Sequence, residues 1–364
     1  GYDALTANTT GGYNVAVGRN ALAANTTASH NIGVGYLALT ANTTGVYNTA
    51  IGSAALDANT TGSDNTAIGR GALSSATTAI DNTAVGKSAL VSNTTGTKNV
   101  GIGVSALATQ TTQGYNTAIG WHALKANTTG TGTVAVGKEA LLANTTGDYN
   151  NALGVDALTA NTTGEKNNAF GNGALFTNST GSRNNAFGHS ALLANTSNDN
   201  SAFGHEALTA NSTGAQNTAF GRGALVSNTT GGSNTAVGYL TLDACTTGEN
   251  NVAVGNHALG GTTTSDNNTA VGYNCLKGNT TGTQNTAVGM NALDANTTAN
   301  DNTAMGYAAL GNNTTGGNNT AVGSNALHNL ATSSSNTAFG YAALEDCTGQ
   351  ENTAIGKGAA QQLT

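Results

Sequence analysis

The sequence predicts an all-β chain, a parallel β-solenoid (β-roll) of about 21 coils, on three observations: a 17-residue period, apolar residues too sparse for helices, and turn residues in every repeat. Residues 48–64, NTAIGSAALDANTTGSD, are the template. With Asn48 as position 1, repeats start at residues 14, 31, 48 and so on to 352, making 21 copies joined by 18 steps of 17 residues and two of 16. A fixed period of this size marks an architecture in which each unit buries its apolar face against its neighbours.

An unbroken repeat over residues 1–364 argues for a single continuous shaft with no domain boundary. Charged residues are 8% and proline is absent, far from the composition of an average globular domain. The net charge of −7 is thinly spread, and the lack of a basic stripe argues against nucleic acid as a partner. No run approaches a membrane span, and the start does not read as a signal peptide. The chain opens at position 5 and stops at position 13 without an initiator Met, which reads as a fragment of a longer protein.

Positions 1–5, Asn-Thr-Ala-Val-Gly, form the first expected strand, with Gly at position 5 in all 21 copies. Positions 7–11 form the second, with Leu at position 9 in every copy but the last, where Ala360 stands. The NTTG segment at positions 12–15 is the return turn, rich in residues that tolerate left-handed backbone. Two strands per coil would stack into two parallel sheets about 100 Å long at the usual strand spacing.

Alternation sends positions 2 and 4 to one side and positions 3 and 5 to the other. The large residues at positions 4 and 9 are then the expected core: Leu56, Leu73, Leu90, Phe170, Phe187, Phe203 and Phe220. Position 3 is Ala in 19 copies and Gly at Gly33 and Gly101, never polar. A small apolar column implies close approach of another backbone. The simplest candidate is a second and third copy of the chain, with Ala50, Ala67, Ala84 and Ala118 at a trimer interface; the alternative is a very thin single-chain core. Side chains 17 residues apart vary together. Phe170, Phe187, Phe203 and Phe220 accompany Asn151, Asn168, Asn185 and Ser201, as aromatic stacks and amide ladders would. Position 1 is Asn in every copy but Thr133, a further ladder.

These residues resemble a known family. NTAIG and NTAVG followed by AL and NTTG are similar to the repeats of trimeric autotransporter adhesin heads. They are more similar still to the NTAxGxxALxxNTTG repeats of surface and tail-fibre proteins that carry a self-cleaving chaperone domain. The resemblance implies a left-handed, trimeric parallel β-roll, exposed on a cell or virion and used for adhesion or as a rigid spacer. It places Asn48 to Gly52 on the family's inner strand. The chain departs from the family in its longer repeat, and residues 1–364 do not read as a stalk, membrane anchor or chaperone domain.

Candidate chemistry is sparse. Asn-x-Ser/Thr sequons occur at Asn8, Asn25, Asn42, Asn59, Asn93, Asn127, Asn144, Asn161, Asn178, Asn195, Asn211, Asn228, Asn279, Asn296 and Asn313. They read either as N-glycosylation acceptors in a secreted protein or as ordinary turn chemistry. Threonines at positions 13 and 14 resemble ice-binding arrays only at the level of architecture. His189 and His205, at position 6 of adjacent copies, lack a third ligand for a metal. Tyr36, Tyr239, Tyr273, Tyr307, Tyr341 and Trp121, also at position 6, read as sugar-stacking platforms or as cover for the edge of the roll. Cys245 and Cys347 share position 12 about 29 Å apart, beyond disulfide reach, and Cys275 is at position 8. They read as members of small-residue columns, with interchain bonds the alternative. No nucleophile recurs with a base, no carboxylate pair faces a cleft, and no phosphate loop, calcium roll, metal or cofactor motif is present. The resulting expectation is a non-catalytic extracellular structural fibre or filament shaft, on a cell surface or as a viral tail fibre. Its partners would be copies of itself and a host-surface or glycan ligand. The rival is an ice- or carbohydrate-binding solenoid.

Overall fold

A computed structural model describes residues 1–363, and Thr364, where the last partial repeat stops, lies outside the described residues. Two units are present, Gly1–Asn184 and Asn185–Thr364. Each is a stack of parallel β-solenoid coils with one three-residue strand per coil and, among the described residues, no helix. The first unit carries ten strands, from Val15–Val17 to Asn168–Phe170, with consecutive strands of the unit paired parallel. Register follows the sequence period, with Thr49 opposite Thr66, Ala50 opposite Ala67 and Ile51 opposite Ile68. The second unit carries eleven, from Asn185–Phe187 to Thr353–Ile355. Asn185–Phe187 pairs with Ser201–Phe203, and Thr337–Phe339 with Thr353–Ile355, in unchanged register across 16-residue steps. The missing residue is therefore absorbed by the turn.

Only positions 2–4 form a strand, and the second strand expected at positions 7–11 is a left-handed turn segment. Position 7 is left-handed throughout, as at Ala54 (φ 53°), and every leucine of position 9 lies between 50° and 53°. Extended strands need φ near −120°. A left-handed leucine costs about 1–2 kcal/mol, against about 1.5–3 kcal/mol gained by burying its side chain. The conformation also turns backbone groups along the stack. Leu56 N–H donates to the Ala72 carbonyl of the next coil (2.9 Å), and Ala54 N–H to Tyr36 of the coil before (2.8 Å). Interstrand bonding thus continues where no strand exists.

Position 5 requires glycine. Its φ runs from 123° to 146° in all 21 copies, and a Cβ on Gly52 would lie 2.6 Å from the Gly69 carbonyl oxygen.

The interior of each coil is narrow. Away from the end coils, position 3 and position 8 alanines and position 9 leucines are buried, and Ala50, Ala55 and Leu56 fully so. A Cβ on Gly101 would meet the Leu90 side chain of the preceding coil at 3.2 Å. Position 3 is small because it packs against the leucine of the preceding coil, inside its own chain. Two asparagine columns complete the interior, at positions 1 and 12, as in Asn48 and Asn59. Both amides clamp one carbonyl: Asn48 Nδ2 and Asn59 Nδ2 donate to Gly62 at 2.8 and 2.9 Å.

Candidate functional site

Positions 2 and 4 point outward. Strand alternation sends position 3 into the coil, so its neighbours must face out. Position 4 is Val, Ile, Leu, Met or Phe in all 21 copies, and in none is it buried. Ile68 is 37% exposed and Phe220 55%. Beside it runs position 2, mostly Thr or Val and likewise never buried. In each unit these columns make one regular, largely uncharged sheet face.

Several expected site residues lie elsewhere. Ala50, Ala67, Ala84 and Ala118 are fully buried within their own chain and have no surface to offer a partner. Leu56, Leu73 and Leu90 are core residues. Phe170, Phe187, Phe203 and Phe220 are not; they stand on the outer face. There Phe187 stacks on Phe203 and Phe203 on Phe220, with centroids 4.7 and 5.4 Å apart.

The sequon asparagines are interior. Asn25, Asn42, Asn59, Asn93, Asn127, Asn144, Asn161, Asn178, Asn195, Asn211, Asn228, Asn279, Asn296 and Asn313 are fully buried, and Asn8 is half-buried. Asn42 Nδ2, the atom a glycan would occupy, donates to Asn25 Oδ1 (3.1 Å) and to the Gly45 carbonyl (3.0 Å). A glycan there is incompatible with the packed coil, and the motif is turn and ladder chemistry. The Thr hydroxyls of position 13 are also committed, Thr43 Oγ1 donating to the Thr60 carbonyl at 2.9 Å. The position 14 threonines, such as Thr44 and Thr61, are exposed.

His189 and His205 stack with centroids 5.1 Å apart and planes 14° from parallel. In-plane nitrogen lone pairs of parallel rings do not converge on one ion. Cys245, Cys275 and Cys347 are buried, closing off interchain bonds. Burial pushes the Cys245 thiol up to about 11 and the Cys275 thiol to about 12, which keeps both as unreactive thiols. Of the position 6 aromatics, Trp121 is stacked against His122 and carries Lys138 over its ring, and the half-exposed tyrosines include Tyr239 under Arg222 and Tyr341 under Lys357.

Sequence reasoning missed a groove of about 440 Å³ lined by Asp243, His257, Gly260, Gly261, Lys277, Gly278 and Asp294. Burial pushes the Asp243 and Asp294 carboxyls up, and Lys277 acts against it at both. The glycines at positions 10 and 11, where most copies carry side chains, are the signal that would have found it. Among the described residues no helix is long and apolar enough to cross a membrane. Comparison with protein-family models and with curated proteins finds no match.

Proposed function

We propose that the chain is a non-catalytic structural shaft, assembled from three copies through the outward sheet face and displayed outside a cell or on a virion. One observation carries the reading: position 4 is apolar in every repeat and buried in none. Contiguous exposed apolar surface marks an interaction site. A partner must meet it once per coil, and a further copy of the chain has the same axial spacing by construction. Three copies, and a place outside the cell, are what the resemblance to adhesin and tail-fibre repeats implies. In this reading the shaft supplies reach and stiffness, and repetition of a weak surface site supplies avidity.

Sedimentation equilibrium of the intact chain tests it. A trimer at micromolar concentration is expected, with Ile68→Lys and Ile119→Lys together driving it to monomers while the circular dichroism is unchanged. A wild-type monomer would refute the assembly. A monomer that produced thermal hysteresis would give the same Thr and Val face to ice instead.

A further inference from the structure

Two edges flank the outward sheet face, position 17 before each strand and position 6 after it. Position 6 carries no acid in any copy. In the first unit the acids of position 17 are Asp64 and Asp81, and the strands they precede, Thr66–Ile68 and Thr83–Val85, are followed by Arg70 and Lys87. All four side chains are exposed. Each doublet sits side by side in its column: Asp81 N–H donates to the Ser63 carbonyl (3.3 Å), just before Asp64, and Ser88 N–H, just after Lys87, to Arg70 (3.0 Å). An isolated chain therefore holds like charges one strand spacing apart, about 4.8 Å, on both edges, an unfavourable arrangement. It cannot relieve them internally. The six-residue step from Asp64 to Arg70 is about 20 Å of extended backbone, and among the described residues neither acid has a basic partner.

We propose that Asp64 pairs with Arg70, and Asp81 with Lys87, of the next copy, closing the edges of the assembled shaft. The inference rests on the assembly reading above and adds orientation and register to it. Rotation about an axis parallel to the stack leaves each coil at its height and carries the position 17 edge of one copy to the position 6 edge of the next. Both acids then meet a base at their own level. A stagger of one coil either way leaves one acid without a base, opposite Ser53 or Val104. Antiparallel packing sets position 6 against position 6, where Arg70 and Lys87 find no acid. The other strand ends fit the same arrangement. No strand of the first unit carries like charges at its two ends, and two exposed aromatics, Tyr115 and Trp121, flank Thr117–Ile119. Charge complementarity of this kind fixes register more than it adds affinity.

Association of the intact chain, measured by sedimentation equilibrium, tests the pairing. At about 0.05 M salt, Arg70→Asp with Lys87→Asp sets acid against acid and should lower the association constant about a hundredfold, with unchanged circular dichroism. At about 1 M salt, where the screening length falls to about 3 Å, most of that loss should vanish. Exchanging the edges, with Asp64→Arg and Asp81→Lys added to the first two substitutions, should restore wild-type association. The exchanged variant should also sort away from tagged wild type, because every mixed contact joins like charges. The pairing is overturned if the two-site variant assembles as wild type at low salt, if the fourfold variant stays weak, or if it co-assembles freely with wild type. A wild-type monomer would sink the assembly reading together with the pairing. A wild-type trimer indifferent to the edge variants removes the pairing alone.

Discussion

The two buried asparagine columns look alike in a single coil and differ along the chain. Position 1 is Asn in every repeat but one, Thr133. Position 12 also admits Ala76, Gln110, Cys245, Thr262, Leu330, Cys347 and Leu363. The hydrogen bonds explain the difference. At position 1 the side chain serves the backbone: Asn48 Oδ1 accepts the Asn65 main-chain N–H (3.1 Å) while its Nδ2 holds the Gly62 carbonyl. At position 12 the amide shares that carbonyl and otherwise bonds another side chain, Asn59 Nδ2 to Asn42 Oδ1 (2.9 Å). A break at position 12 thus orphans one side-chain oxygen. Asn59, Asn93, Asn228 and Asn313, the residues before Ala76, Gln110, Cys245 and Leu330, each have a buried Oδ1 without a partner. A break at position 1 would orphan the main chain itself.

The largest effect should therefore come from Asn65→Ala. It removes the acceptor of the Asn82 N–H and the donor to the Ala79 carbonyl, which has no second amide because Ala76 stands at position 12. Two buried backbone groups left unpaired should cost about 3–5 kcal/mol. Hydrogen exchange at the Asn82 amide is the local readout, since a repeat stack need not unfold as one unit. Asn42→Ala should cost less, about 1–2 kcal/mol, because the Gly45 carbonyl keeps Asn31 (2.9 Å). Equal losses in the two variants would show that both columns act only as filler.

Much of this was legible in the sequence, and what was not has a physical cause. The period gave the parallel stack and its register, and the absolute glycine at position 5 gave a special backbone site. Leu at position 9 read as a core residue, which Leu56 is, but nothing in the letters Ala-Leu announces left-handed backbone. That hidden turn removed the second strand. It also left too little room for large side chains at position 4, so Phe220 and its neighbours face out while Ala50 faces in. Size was a poor guide to inside and outside because this interior is one leucine wide. The sequons misled for a related reason. Asn-Thr-Thr-Gly reads as surface, yet in so thin a coil the first residue of the turn reaches the centre, as Asn59 does.

The smallest and sharpest test restores a missing rung. Ala76 is fully buried at position 12, below Asn59, whose Oδ1 has no partner, and above Asn93. In Ala76→Asn the new Nδ2 would donate to Asn59 Oδ1 and to the Ala79 carbonyl, and the new Oδ1 would accept from Asn93. A gain of about 1 kcal/mol is expected, seen as a higher midpoint in urea with unchanged slope. Volume alone is controlled by Ala76→Leu, because Leu330 shows that leucine fits this position. If leucine stabilises as much as asparagine, filling space accounts for the gain. If only asparagine does, position 12 contributes through its hydrogen bonds, and its tolerance of breaks reflects their number, one side-chain acceptor lost at each, and not their absence.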